Sequence, residues 1–343
     1  SSLVDGMAGS VNTPPNKDIR WEKTTTVNVG VDFALFRHRL SGTIEYYNKY
    51  SVDLLAAING SPTQGFGYTT LMTNNGKMVN RGVEITLSGE IIRQKDFSWN
   101  ASLLYAFNRN KVKHISVQPS LWDSRISMPT SYPMVGKPLY GIYAYKWAGL
   151  NENGDPQVYD AENNVTSGPA RDYHALVYCG TTVPIHNASL TNVLRYKGFE
   201  FSAMLILDAG HKLRSSNIPS INMSNGRITS TAKGIVDRWT QPGDVTDVPR
   251  LLFSNDTENF NTHRTELYRY SDLFVYDASN IRLSNISLAY RVPAHWCKKI
   301  SLSGARLQFN VENVATFAFD SKANYDLGGK VKPNYVWGLY LNF

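Results

Sequence analysis

NYVWGLYLNF, Asn334 to Phe343, closes the 343-residue sequence. Tyr335, Trp337, Leu339, Leu341 and Phe343 fall on every second position of it. A two-residue period sends successive side chains to opposite faces of an extended chain, so the segment reads as a strand with one strongly apolar face. Termini are ordinarily the loosest part of a domain; this one is densely specified. In a chain whose mean hydropathy is −0.31, such a face needs a cover, either a second protein layer or hydrocarbon.

The same period recurs along the chain. Val27, Val29, Val31, Phe33 and Leu35 share a face against Asn28, Gly30, Asp32 and Ala34. Leu40, Ile44 and Tyr46 form the next set, then Val79, Val83, Ile85, Leu87 and Ile91 against Asn80, Glu84, Thr86, Ser88 and Glu90. Phe97, Trp99, Ala101, Leu103, Tyr105 and Phe107 follow, then Phe199, Phe201, Ala203, Leu205 and Leu207, and Leu307, Phe309 and Val311. Two runs are less regular. Asn192 interrupts Ala188, Leu190, Leu194 and Tyr196, and Ile281 and Leu283 are out of phase with Ile286, Leu288, Tyr290 and Val292, which predicts a bulge near Ser284–Asn285. About nine long strands result, of the length that crosses a bilayer at a tilt.

The connections sort by length. Arg37–Arg39, Arg93–Asp96, Lys197–Gly198 and Pro293–Ile300 are short, while Leu54–Met78, Lys111–His186, His211–Ala278 and Val314–Pro333 are long, and the two kinds alternate. In an up-and-down barrel this gathers short turns at one rim and long loops at the other, the plan of outer-membrane barrels. The fold class expected is therefore all-β, an antiparallel up-and-down transmembrane β-barrel with long extracellular loops and short periplasmic turns. The last strand then ends at the periplasmic rim. Trp99, Tyr196, Tyr290, Tyr335 and Trp337 are expected as interfacial rings. The rival reading is a secreted, soluble all-β glycan-binding module whose apolar face is the dry side of a sheet.

Composition agrees with a β-rich chain: aromatics reach 12% and charged residues only 18%. The net charge of +7 comes without any block of like charges, so nucleic acid is not expected as a partner. Cys179 and Cys297 lack partner spacing and read as free or buried thiols. The sequence begins without an initiator Met or an apolar leader, as if cut from something longer.

Several stretches resemble one family. DIRWEKTTTVNVGVDFALF (Asp18–Phe36), NNGKMVNRGVEITLSG (Asn74–Gly89), FSWNASLLYAFNRNKV (Phe97–Val112) and GLNENGDPQVYD (Gly149–Asp160) are similar to the barrel portion of SusC/RagA-like TonB-dependent outer-membrane transporters of Bacteroidetes-type bacteria. YKGFEFSAML (Tyr196–Leu205), DRWTQPGDVTDVPR (Asp237–Arg250) and IRLSNISLAYRVP (Ile281–Pro293) extend the likeness in the same order. The resemblance implies a barrel of about 22 strands around a plug. Residues 1–343 would be its C-terminal part, about the last nine strands, without the plug and earlier strands. It further implies import of nutrient oligosaccharides or peptides, a SusD-like lipoprotein lid, and TonB acting through the missing N-terminal part. The closing Tyr335, Trp337, Leu339, Leu341 and Phe343 resemble the signal read by the outer-membrane assembly machinery.

No catalytic constellation emerges, and an enzyme is not expected. Seven histidines show no metal-ligand spacing, and no cofactor or metal is implied. Asn151–Asp155 lacks the glycine and closing Glu of a calcium loop and reads as a turn. Glu45, Glu84, Glu90 and Glu200 could pair across strands as glycosidase carboxylates do, but alternation already accounts for them as wetted wall groups. Arg238–Trp239 with Pro242–Asp244 reads as a rigid loop anchor. The candidates for touching substrate or lid are the loop aromatics Trp122, Tyr132, Tyr143, Trp147, Trp239, Tyr268 and Tyr270.

Overall fold

The computed structural model describes residues 16–59, 70–116, 124–168, 172–223, 231–253, 262–299, 301–328 and 332–343. Nine long strands make one sheet: β1 (Lys23–Leu35), β2 (Leu40–Asn59), β3 (Thr70–Arg93), β4 (Phe97–Ile115), β5 (His186–Tyr196), β6 (Phe199–Ala209), β7 (Asn280–Arg291), β8 (Gly304–Ala318) and β9 (Asn334–Asn342). They pair antiparallel in chain order, and among the described residues β1 and β9 are the sheet's open edges. Their connections alternate between two rims, residues 36–39, 94–96, 197–198 and 292–303 at the short-turn rim and 60–69, 116–185, 210–279 and 319–333 at the long-loop rim, although 292–303 is longer than 60–69.

Register turns the alternation of single strands into rows crossing the sheet. Val31, Ile44, Ile85, Tyr105, Ala188, Leu207, Ile281 and Phe317 are successive cross-strand partners. A parallel row runs Phe33, Gly42, Leu87, Leu103, Leu190, Leu205, Leu283 and Ala315. Toward the short turns, Trp99, Leu194, Phe201, Leu288, Phe309 and Trp337 form a third. Phe97, Tyr196, Phe199, Tyr290, Leu307 and Leu339 form a fourth. Rings meet there, Phe199 on Tyr290 at 4.5 Å and Phe309 on Trp337 at 4.2 Å between centroids. This face is open: Val29 and Leu339 are each 61% exposed.

The opposite face is polar and internally bonded. Glu200 accepts from Arg195 at 2.7 Å and from Arg306 at 3.2 Å. Asp208 accepts from Asn187 and from Arg282, both at 2.7 Å. Thr43 donates to Asp32 across β1 and β2 at 2.7 Å.

The two irregular runs have local explanations. β7 changes register between Leu283 and Asn285, at the expected bulge, and this returns Ile281 and Leu283 to the face of Ile286 and Leu288. Asn192 stays on the apolar face between Ala101 and Ala203, where its side-chain oxygen accepts the Trp99 indole N–H at 3.1 Å. A buried or lipid-facing amide is costly only when unpaired.

Several boundaries differ from expectation: β4 runs through Lys111 to Ile115 and β8 through Val314 to Ala318, and the largest difference lies in the second connection. Leu54–Met78 reads as a long loop, yet β2 runs on to Asn59 and β3 starts at Thr70. The cause is two register shifts between Ser51 and Leu55, beside Asp53 at φ +56°, which break the two-residue period without ending the ladder. Asn74 holds the kink by donating to the Asp53 carbonyl at 2.7 Å.

Leu205→Arg places a charge in the middle of the second apolar row and should cost about 2–4 kcal/mol in a bilayer. Ser189→Arg, on the opposite face near Glu84 and Asp208, should be tolerated. The yield of heat-modifiable, folded barrel in outer membranes checks both.

Candidate functional site

The two longest connections fold into a layer of their own. The first contains α1 (Ser124–Ser127) and short strands at Gly141–Tyr145, Trp147–Leu150, Pro156–Tyr159, Val165–Thr166 and Leu176–Thr181. The second contains α2 (Thr262–Arg269) and short strands at Lys212–Arg214, Asn222–Met223, Leu252–Phe253 and Val275–Asp277. One packed cluster joins Tyr143, Tyr145, Val158, Ala175, Leu176 and Leu267; another joins Ile221, Tyr268 and Phe274, and Trp147 packs against both.

Charged groups stitch these segments together. Asp155 accepts two hydrogen bonds from Arg250, at 3.0 and 2.8 Å, and a third from Arg264 at 3.1 Å. Arg264 is 2% exposed and also donates to the carbonyls of Ile221 and Arg250. Arg214 donates to the carbonyls of Tyr143, Arg269 and Ser271. Asp326, in the connection between β8 and β9, accepts from the hydroxyls of Ser215 and Ser216 at 2.7 and 2.6 Å. Burial raises the Tyr268 phenol above its ordinary value and lowers Arg264 below its own.

Each candidate aromatic now has a place. Tyr132, Tyr143 and Tyr268 are buried, the last two at 1% exposure, and their rings pack into the core that a loop layer this large needs rather than onto its surface. Trp147 is half-buried, its indole donating to Asp247 at 3.0 Å and its ring 5.9 Å from Tyr268. Trp239 lies against Gly154, at φ +73°, where any β-carbon would overlap the ring. Asp244 closes the neighbouring turn by accepting from Thr240 and Gln241, the anchor arrangement expected for this segment. Tyr270 is partly exposed, with the Arg214 guanidinium 5.6 Å from its centroid. Trp122 lies outside the described residues.

Asn151–Asp155 is a turn, with the Asn151 side chain accepting from the backbone of Asn153 and Asp155. The Asp155 carboxylate is consumed by two guanidiniums. Among the described residues no group of three His, Cys, Asp or Glu is placed to hold a metal ion. Glu45 and Glu84 are cross-strand partners on the polar face, whereas Glu200 is neutralised by its two arginines. Tyr335, Trp337, Leu339 and Leu341 all point to the apolar face of β9, and Phe343 follows them. What the sequence did not single out are Asp155, Arg214, Arg250 and Arg264, the charges on which the layer depends. Two of them lay in the quoted stretches GLNENGDPQVYD and DRWTQPGDVTDVPR.

Asp155→Asn strands a buried guanidinium and should cost about 3–5 kcal/mol within the layer. Limited proteolysis should then cut the two long connections while the sheet stays folded. Cys179 and Cys297 are both free. Burial pushes the Cys179 thiol up to about 11, so alkylation of the native protein should stay slow at pH 8 and speed up on denaturation.

Comparison with known proteins follows the same architecture. The family model described as TonB dependent receptor-like, beta-barrel matches residues 2–314. TonB-dependent receptor P3 of Formosa agariphila is 25% identical over 94% of this chain and 33% of its own length. TonB-dependent receptor SusC of Bacteroides thetaiotaomicron is 25% identical over 87% of this chain and 29% of its own. The chain thus spans about a third of the length of the curated relatives it matches. Among solved structures, the RagAB peptide transporter superposes with a TM-score of 0.76 at 23% identity, over 99% of this chain and 37% of that one, which shows a shared fold. With the family model covering most of its residues, this chain belongs to the TonB-dependent receptor-like β-barrel family of the outer membrane.

Proposed function

We propose that this chain supplies a nine-stranded arc and a folded extracellular layer to a TonB-dependent importer of nutrient oligomers, oligosaccharides or peptides, that passes its cargo unaltered. The remaining strands and the plug lie outside these residues, and TonB acts through that other part. The observation that carries the reading is the set of unbroken apolar rows, eight strands wide, on an uncovered face. Hydrocarbon covers such a face; water does not. A secreted glycan-binding module would need a protein layer over it, and the family match speaks for the membrane.

On this reading the short turns and the end of β9 face the periplasm, and the loop layer faces outward under a SusD-like lipoprotein. The solved RagAB structure is that of a peptide transporter, which supports peptide as one cargo class; the lipoprotein partner and the oligosaccharide class rest on the sequence resemblance to SusC/RagA-like transporters. Of the candidate rings, Trp147, Trp239 and Tyr270 keep surface for cargo or lid. Tyr335, Trp337, Leu339, Leu341 and Phe343 act as the assembly signal of β9.

The test is fractionation coupled to growth. The protein should require detergent for extraction from outer membranes and run with heat-modifiable mobility. Its deletion should abolish growth on an oligomeric nutrient while growth on the monomer continues. Release into the aqueous fraction on simple lysis sinks the proposal.

A further inference from the structure

The chain's net charge is not spread over the molecule. The four short connections, residues 36–39, 94–96, 197–198 and 292–303, contain Arg37, Arg39, Lys95, Lys197, Lys298 and Lys299 against one acid, Asp96. Those 21 residues carry a net +5 of the whole chain's +7. The four long connections, residues 60–69, 116–185, 210–279 and 319–333, hold 15 Lys and Arg against 16 Asp and Glu. Positive charge is therefore concentrated at one rim.

None of those six cations pairs with a carboxylate among the described residues. An exposed ring stands beside most of them. Phe36, at 73% exposure, precedes Arg37 in a turn where Phe36, Arg37 and His38 all have positive φ. The Lys197 ammonium lies 5.3 Å from the centroid of Tyr196, a ring of the apolar face. In the last short connection α3 (Ala294–Lys298) buries Cys297 and exposes Trp296, with Lys298 and Lys299 following it. Rings of this kind sit at the level of lipid headgroups, and long basic side chains reach past them to the phosphates.

We propose that the short-turn rim is a collar that binds anionic phospholipid headgroups. It rests on the membrane reading above and adds the lipid class and the residues that select it. A zwitterionic headgroup offers the same phosphate with a compensating ammonium, so six cations without a carboxylate partner, Arg39 held by the carbonyls of Glu90 and Ile91, favour a lipid with net negative charge. Each cation near an anionic surface contributes about 1 kcal/mol, or about a fivefold change in binding. The near-neutral long-loop rim has no such preference.

The intact transporter, extracted from outer membranes, is exchanged into nanodiscs of equal parts phosphatidylglycerol and phosphatidylethanolamine, and retained lipid is counted by native mass spectrometry. Wild type should retain phosphatidylglycerol in more than tenfold excess, since two cations at about fivefold each already exceed that. The triple variant Lys197→Gln, Lys298→Gln, Lys299→Gln, which keeps Arg37, Arg39 and Lys95, should lower that excess at least tenfold. The control Lys146→Gln, Lys233→Gln, Lys332→Gln, on the long connections, should keep it. All three proteins are compared in their heat-modifiable, folded form. Equal retention of both lipids by folded wild type overturns the proposal, as does an unchanged triple variant. Complete displacement of phosphatidylglycerol by millimolar inorganic phosphate also overturns it, since the groups would then serve a soluble anion. Wild type found outside the membrane fraction overturns the importer reading as well, so the two failures are told apart.

Discussion

In hydrocarbon a peptide group has no water to bond, so every N–H and C=O of a membrane wall must find a partner on the next strand. The ladder from β1 to β9 meets that demand, and its register shifts, near Asp53, Lys77, Glu90 and Ser284, interrupt the pairing without ending it. Among the described residues the sheet's edges, β1 and β9, each carry one row of peptide groups outside the ladder; the curated relatives it matches are about three times its length.

Away from the lipid the rules change. The loop layer has a core of tyrosines and aliphatic groups, like a small soluble domain, and its segments are held by specific charge pairs. Arg264 is almost fully buried and is tolerated there because each nitrogen of its guanidinium donates to an acceptor. Such a group specifies one arrangement of the chain, since any other strands a charge.

This difference decides what the sequence could reveal. The wall obeys a two-valued pattern, and Val29, Leu87, Leu205 and Leu339 could be assigned to one face by parity alone. Even the bulge at Ser284 showed as a phase slip. Strand extensions at Leu54–Asn59 and Thr70–Met78 stayed hidden because the double register shift erased the period there. In the loops no period exists. Tyr143 and Tyr268 could not be told from surface rings, since an aromatic side chain suits a buried cluster and a binding face equally. Asp155 and Arg250 lie 95 residues apart, and only the fold brings them together.

Trp147 belongs to both packed clusters of the loop layer, and Asp326 ties the last long connection to the second. In mechanical terms the three connections form a plate rather than separate tethers. A load applied to one connection is therefore shared by the other two.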